Sequence, residues 1–225
     1  MSNCGNFSLI VPAAGDNVEN GLIPKVFTPD REGIMWCVKS IMGLNYQDFD
    51  NIYFAILNKH VELFDIDKLM QLQFKRLGLK NSKIVILDNP TNTQSETIAM
   101  TIEKENISGS VFIKDADSFF EAEVTPENNV AVYPLENLNL VDPQHKSYVA
   151  VDDMQHVTNI IEKKIVSNLF NAGGYGFENS NDFLESYYKY NKLGKIYISH
   201  LIYAMLLSGN IFYPIKVKNY ADLNL

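Results

Sequence analysis

Arginine is nearly missing from this 225-residue chain, which carries only Arg31 and Arg76 beside 17 lysines. With 27 acidic residues against 19 basic ones the formal net charge is −8, so there is no basic surface to grip the phosphates of a nucleic acid. Cysteine is equally scarce. Cys4 and Cys37 stand alone, without the paired spacing of a zinc site or the density of a disulfide framework, and they fit a reducing, cytoplasmic setting. Long apolar runs are lacking too. The stretch from Ile196 to Leu207 is broken by Ser199 and His200 and falls short of the roughly 20 residues a bilayer needs. Residues 1–7 are mostly small and polar, with no basic segment leading into an apolar one, so neither a signal peptide nor a membrane partner is expected. What the chain does have is core-forming material. Hydrophobic residues make up 46% and aromatic ones 12%, which suits one globular domain over 1–225 and excludes a disordered chain. No internal repeat or low-complexity linker divides it.

The first half alternates strand and helix. Phe7 to Pro12, Ile52 to Leu57, Lys83 to Leu87 and Ser110 to Ile113 are apolar and β-rich, as strands buried on both faces are. Between them, Ile34 to Leu44, Val61 to Leu77 and Ser95 to Glu105 show apolar residues at helical spacing, the second ending at Gly78. This order predicts a largely parallel sheet with helical crossovers. After Asp117 the pattern turns to short strands at about 130–134, 148–152, 157–162 and 173–177. Helices at about 182–190 and 199–208 and a last strand at 211–217 follow. The expected architecture is a Rossmann-like three-layer α/β/α fold with a mainly parallel, mixed central sheet.

Open parallel sheets bind ligands beyond the carboxyl ends of their strands. After the first strand, Pro12-Ala13-Ala14-Gly15 brings small residues that let backbone approach a ligand closely, although an ordinary tight turn has the same look. Pro24-Lys25, at the far end of that loop, can set an ammonium against a phosphate. After the fourth strand, Asp115 and Asp117 stand two residues apart, hard oxygen ligands suited to Mg²⁺ on a triphosphate. Thr93 and Glu96, three residues apart at the start of a helix, have the spacing of a capping box.

The succession of strand, Ala-Ala-Gly, polar loop, Pro-Lys and helix resembles the opening of the sugar-phosphate nucleotidyltransferase family, whose fold is glycosyltransferase-A-like. The resemblance continues over nearly the whole chain. It implies that residues 12–15 wrap a nucleoside triphosphate, that Lys25 neutralises its phosphates, and that Gln94 and Glu96 belong to the loop contacting the nucleobase. Asp115, Asp117 and Asp222 are implied as metal ligands, with Asp117 favoured over Asp115. Glu162 and Lys163 resemble the family's Glu-Lys pair, one on a sugar hydroxyl and one on the acceptor phosphate. Asn171 and Gly173 resemble its Asn-Ala-Gly segment on the substrate. The implied reaction moves a nucleoside monophosphate from an NTP to a sugar phosphate or similar small phosphorylated acceptor, releasing pyrophosphate, with Mg²⁺ as cofactor. Whether the chain forms a homo-oligomer is left open.

The chain also departs from the family pattern. Gly15 is followed by Asp16-Asn17-Val18 where the family has a second glycine and an arginine that polarises the α-phosphate. Lys164 stands where a proline usually follows the Glu-Lys pair, and the Asp222 segment lacks the usual Gly-Thr-Pro. Arg31 and Lys114 are the candidates to replace the missing arginine. Two further readings therefore stand beside the enzyme: a nucleotide or nucleotide-sugar binding protein that has lost the reaction, and a metal-dependent glycosyltransferase.

Overall fold

A computed structural model describes residues 6–15, 22–137 and 146–223. Strands β1 (Phe7–Pro12), β2 (Asn51–Leu57), β3 (Ser82–Leu87) and β4 (Ser110–Lys114) run parallel in the order β4-β1-β2-β3. Their near-continuous apolar sequence is explained by burial on both faces. In β1, Leu9 and Val11 enter one core while Ile10 enters the other, as the two-residue period of a strand requires. The sheet continues beyond β4 with antiparallel β9 (Leu169–Phe177), then β6 (Asn129–Pro134) and β10 (Tyr213–Lys216). A hairpin of β7 (Ser147–Val151) and β8 (Val157–Glu162) joins through β7 and β9. The expected three-layer α/β/α arrangement and mixed sheet are therefore present.

One face is covered by α4 (Gln94–Glu105), α5 (Ser180–Tyr190) and α6 (Ile198–Leu207), the other by α1 (Trp36–Lys39), α2 (Asn58–Phe64) and α3 (Ile66–Leu77). Two helices depart from the sequence expectation. The one predicted over 34–44 shrinks to the single turn of α1, because the chain must meet another segment at Gly43. A Cβ there would lie 2.1 Å from the Phe120 carbonyl oxygen, and the Gly43 carbonyl accepts from the Ala122 amide at 3.0 Å. The helix predicted over 61–77 is two helices broken at Asp65, whose φ of 51° is left-handed. Gly78 ends α3 at φ 73°, as its position suggested.

A second, two-stranded sheet has no counterpart in the sequence reading. β5 (Ser118–Glu121) pairs antiparallel with β11 (Lys218–Asp222), setting Asp222 opposite Ser118. The last strand expected over 211–217 is thus β10, and Asp222 sits within a further strand instead of following the last one. Among the described residues, no helix is long and apolar enough to cross a membrane.

Candidate functional site

A pocket of about 740 Å³ opens where β1 and β4 end, lined by Pro12 to Gly15, Leu22 to Val26, Thr91 to Gln94, Thr97, Ala116, Asp117 and Leu223. Lys25 reaches it because its neighbours are anchored. Phe27 is 1% exposed, and the turn closes through the Phe27 amide on the Pro24 carbonyl (2.9 Å) and the Thr28 amide on the Lys25 carbonyl (2.9 Å). Burying Phe27 leaves Lys25 exposed at the rim. Among the described residues Lys25 is the one basic side chain lining the pocket. The Ala13 amide is committed to the sheet, donating to Ala55 at 2.8 Å. Residues 16–21, where the family arginine would stand, lie outside the described residues.

The α4 N-terminus forms the opposite wall. Thr93 caps it, its hydroxyl accepting from the Glu96 amide (3.2 Å). Glu96 turns back so that its carboxylate accepts from the Asn92 amide (2.6 Å) and side chain (3.1 Å), and it does not line the pocket. The capping reading of this pair is therefore met in a form shifted by one residue. Gln94 does line the pocket, and its Nε2 donates to Asp115 Oδ1 at 2.6 Å.

Asp115 is a hub more than a pocket wall. Its amide donates to the Gly173 carbonyl (2.9 Å), while burial and the neighbouring charge of Asp117 push its carboxyl up to about 6. Gly173, at φ 87°, is where β9 passes Asp115: a Cβ would lie 2.7 Å from Asp115 Oδ2 and 2.6 Å from Ser118 Oγ. Asn171 holds that turn, its Oδ1 accepting from the Gly173 amide (2.7 Å) and its Nδ2 donating to the Gly174 carbonyl (3.3 Å). Asn171 and Gly173 thus brace the acidic turn, and neither lines the pocket.

Lys114 underlies the same turn. It is fully buried, and its Nζ donates to the Asp115 carbonyl (2.9 Å) and to the Ser118 carbonyl and hydroxyl (both 2.7 Å), 4.5 Å from the Phe120 ring centroid. Burial pushes the ammonium down to about 8. Neither candidate substitute for the arginine lines the pocket, since Lys114 is spent inside the turn and Arg31 is exposed elsewhere.

Asp222 meets a cation that the sequence reading missed. Lys146 Nζ contacts Asp222 Oδ2 at 2.5 Å and the Tyr220 hydroxyl at 2.7 Å, and the Tyr220 hydroxyl donates to the same carboxylate oxygen at 3.1 Å. Burial and Asp222 raise the Tyr220 phenol far above its ordinary range. Nothing around Lys146 in the sequence signals this role, because the pairing depends on β11. At the same open end of the β7–β8 hairpin, where Ser147 pairs with Glu162, Glu162 Oε2 accepts from Ser147 (2.5 Å) and Ser199 (2.7 Å). Lys163, exposed and at φ 56°, places Nζ 5.1 Å from the Tyr197 ring centroid.

Among the described residues no three carboxylates, histidines or cysteines are grouped to hold a metal ion by themselves. That arrangement still fits Mg²⁺, which keeps several waters and is usually held by one or two carboxylates together with substrate phosphates. Asp117 lines the pocket, and the Leu223 amide of the β11 end donates to the Asp117 carbonyl at 2.8 Å, bringing Asp222 alongside.

The fold is of the nucleotidyltransferase type. A nucleoside-diphosphate-sugar pyrophosphorylase from Vibrio cholerae RC9 superposes with a TM-score of 0.79 over 96% of each chain at 19% identity. The inositol-1-phosphate CTP transferase from T. maritima gives 0.74 over 99% of this chain and 90% of that one, at 16% identity. UDP-glucose pyrophosphorylase complexed with UDP-glucose gives 0.72 over 98% and 94%, also at 16%. In sequence, the bifunctional protein GlmU of Methanococcus aeolicus is 30% identical over 144 residues, which is 62% of this chain and 34% of GlmU. The chain therefore matches about a third of that relative's length, a remote similarity. No family profile matches the chain.

Proposed function

We propose that this chain transfers a nucleoside monophosphate from an NTP to a small phosphorylated acceptor, a sugar phosphate foremost, with release of pyrophosphate. The observation that carries the reading is the pocket itself, which unites the Pro12–Gly15 strand end, Lys25, the α4 N-terminus and Asp117 at one sheet edge. Such a reaction needs few side chains. The acceptor phosphate is already an anionic nucleophile at neutral pH, so in-line attack on the α-phosphorus depends on positioning and charge neutralisation.

On this reading Lys25 binds triphosphate oxygens at the rim, while Thr91 to Gln94 face the base. Asp115 orients the Gln94 amide, leaving its carbonyl oxygen as the side chain's acceptor. Asp117 and Asp222 would hold a divalent cation, which when bound supplies positive charge at the phosphates. Glu162, fixed by Ser147 and Ser199, binds an acceptor hydroxyl, and Lys163 binds the acceptor phosphate.

A second reading has its own support. A single basic side chain among the described pocket residues is little to set against a triphosphate, as expected of a protein that binds nucleotide without turning it over. The deciding measurement is pyrophosphate release with Mg²⁺, each of the four NTPs and a panel of sugar phosphates and phosphorylated amino alcohols. Release with one pair, lost at least about 10²-fold in Asp117→Asn, supports the transferase. Nucleotide-dependent thermal stabilisation without release supports the binding protein. An arginine introduced at Asn17 or Val18 distinguishes a weak enzyme, which gains up to about 10²-fold, from a binding module, which gains nothing.

A further inference from the structure

The ammonium of Lys146 occupies the carboxylate that a divalent cation would need. Its contact with Asp222 is sheltered, the two side chains being 17% and 9% exposed, and its Nζ also lies 5.3 Å from the Tyr220 ring centroid and 5.9 Å from that of Phe170. The position is over-determined: one carboxylate, one phenol and two aromatic faces converge on it. Its charge also reaches the rest of the acidic turn, favouring the ionised form of Asp115 and the neutral form of Lys114. Lys146 therefore acts on the same small volume as Asp115 and Asp222.

We infer that Lys146 is a resident counter-cation, which neutralises Asp222 in the empty protein and competes with a divalent metal for that carboxylate. The inference rests on the metal assignment proposed above. A sheltered carboxylate stripped of its partner is costly, and an arriving dication beside a fixed ammonium is repelled. The empty protein thus keeps Asp222 satisfied and binds free metal weakly. A metal that arrives on a triphosphate brings anionic oxygens with it, and these give the displaced ammonium a new partner. Lys146 also couples the two halves of the site, because its carbonyl accepts from the Lys163 amide at 3.0 Å while its side chain holds β11.

The test is Mn²⁺ binding to the nucleotide-free protein, followed by calorimetry and by the electron paramagnetic resonance of the free ion. Lys146→Met should bind Mn²⁺ about tenfold more tightly than the native protein, as removal of one nearby like charge implies. Lys146→Gln, which keeps a hydrogen-bond donor toward Asp222 and Tyr220, should do the same and serves if the Met variant does not fold. Lys146→Arg should stay at the native level, and adding Asp222→Asn to Lys146→Gln should abolish the gain. A mere staple between β7 and β11 would lower the melting temperature without tightening Mn²⁺, and that result refutes the inference. Absence of Mn²⁺ binding in every variant refutes it too. In either case Mg²⁺–NTP is then tested for thermal stabilisation of the native protein: stabilisation leaves the nucleotide reading standing, and its absence removes both.

Discussion

Gly173→Ala tests how tightly β9 and the acidic turn are fitted together. Two costs combine at this position. A φ of 87° is a conformation that only glycine adopts freely, and placing a Cβ there costs roughly 1–2 kcal/mol. The same Cβ would stand 2.6 Å from Ser118 Oγ, 2.7 Å from Asp115 Oδ2 and 2.9 Å from Asp115 Cβ. Ser118 cannot easily retreat, since its hydroxyl donates to the Ala172 carbonyl at 3.0 Å and accepts from Lys114. Overpacking of this kind adds about 1–3 kcal/mol, for a total of roughly 2–5 kcal/mol. Gly78→Ala isolates the first cost, because its φ is 73° and nothing lies within 4 Å of the added Cβ. Urea denaturation of both variants should therefore show Gly173→Ala destabilised by at least about 1 kcal/mol more than Gly78→Ala. Movement of Asp115 should also release Gln94, so nucleotide-dependent stabilisation should fall in the first variant and persist in the second. Equal destabilisation by the two substitutions would show that β9 does not press on the turn, and the reasoning would fail.

The carboxyl of Asp115 offers a pH test. Its folded-state value, up to about 6 from an ordinary 3.8, means that the folded protein binds the proton more tightly, so this group's contribution to stability is full below about 4 and is lost as pH rises toward 6. Asp115→Asn, which keeps an oxygen for the Gln94 amide, should therefore gain on the order of 3 kcal/mol over the native protein at pH 8 and little at pH 4; a pH-independent difference would refute the assignment. Cys37 is buried, and its thiol is pushed up to about 12. In a Cys4→Ser background it should resist a thiol reagent in the native protein and react once urea unfolds the chain, whereas prompt native labelling would contradict its burial.

The strands β1 to β4 were legible because burial on both faces writes a continuous apolar run, a signal that needs no knowledge of neighbours. Helix ends were legible where a local device sets them, as Thr93 and Gly78 do. The 34–44 segment misled for the opposite reason. Its apolar spacing is real, and Cys37, Val38 and Ile41 are all buried, yet Gly43 has to approach Phe120, a residue far along the chain, and helical continuation loses to that contact. The strand ends at 12–15 and 114–117 could be placed at one sheet edge from topology alone. Which side chains the site spends on itself could not. Asn171 and Gly173 are implied as substrate-side residues by resemblance alone; that they also hold the close passage of β9 over Asp115 could not be read, because no spacing along the chain encodes that passage.

The same distinction explains the distribution of charge in the site. Of the cations near the acidic turn, Lys114 and Lys146 both lie inside the protein and hold oxygens there, whereas Lys25 and Lys163 are exposed. Lys114 bonds carbonyl and hydroxyl oxygens, so it shapes the turn without cancelling a carboxylate by direct contact. Lys146 pairs with a carboxylate and can be exchanged for another cation without breaking a backbone contact of the turn. A turn that must keep its shape while its charge balance changes with ligand needs both kinds of lysine, one fixed to the backbone and one held by charge. The two-stranded sheet makes this division workable, because it brings Asp222 to the turn from outside, where Lys146, just before β7, meets it, while Lys114 supports the turn from within.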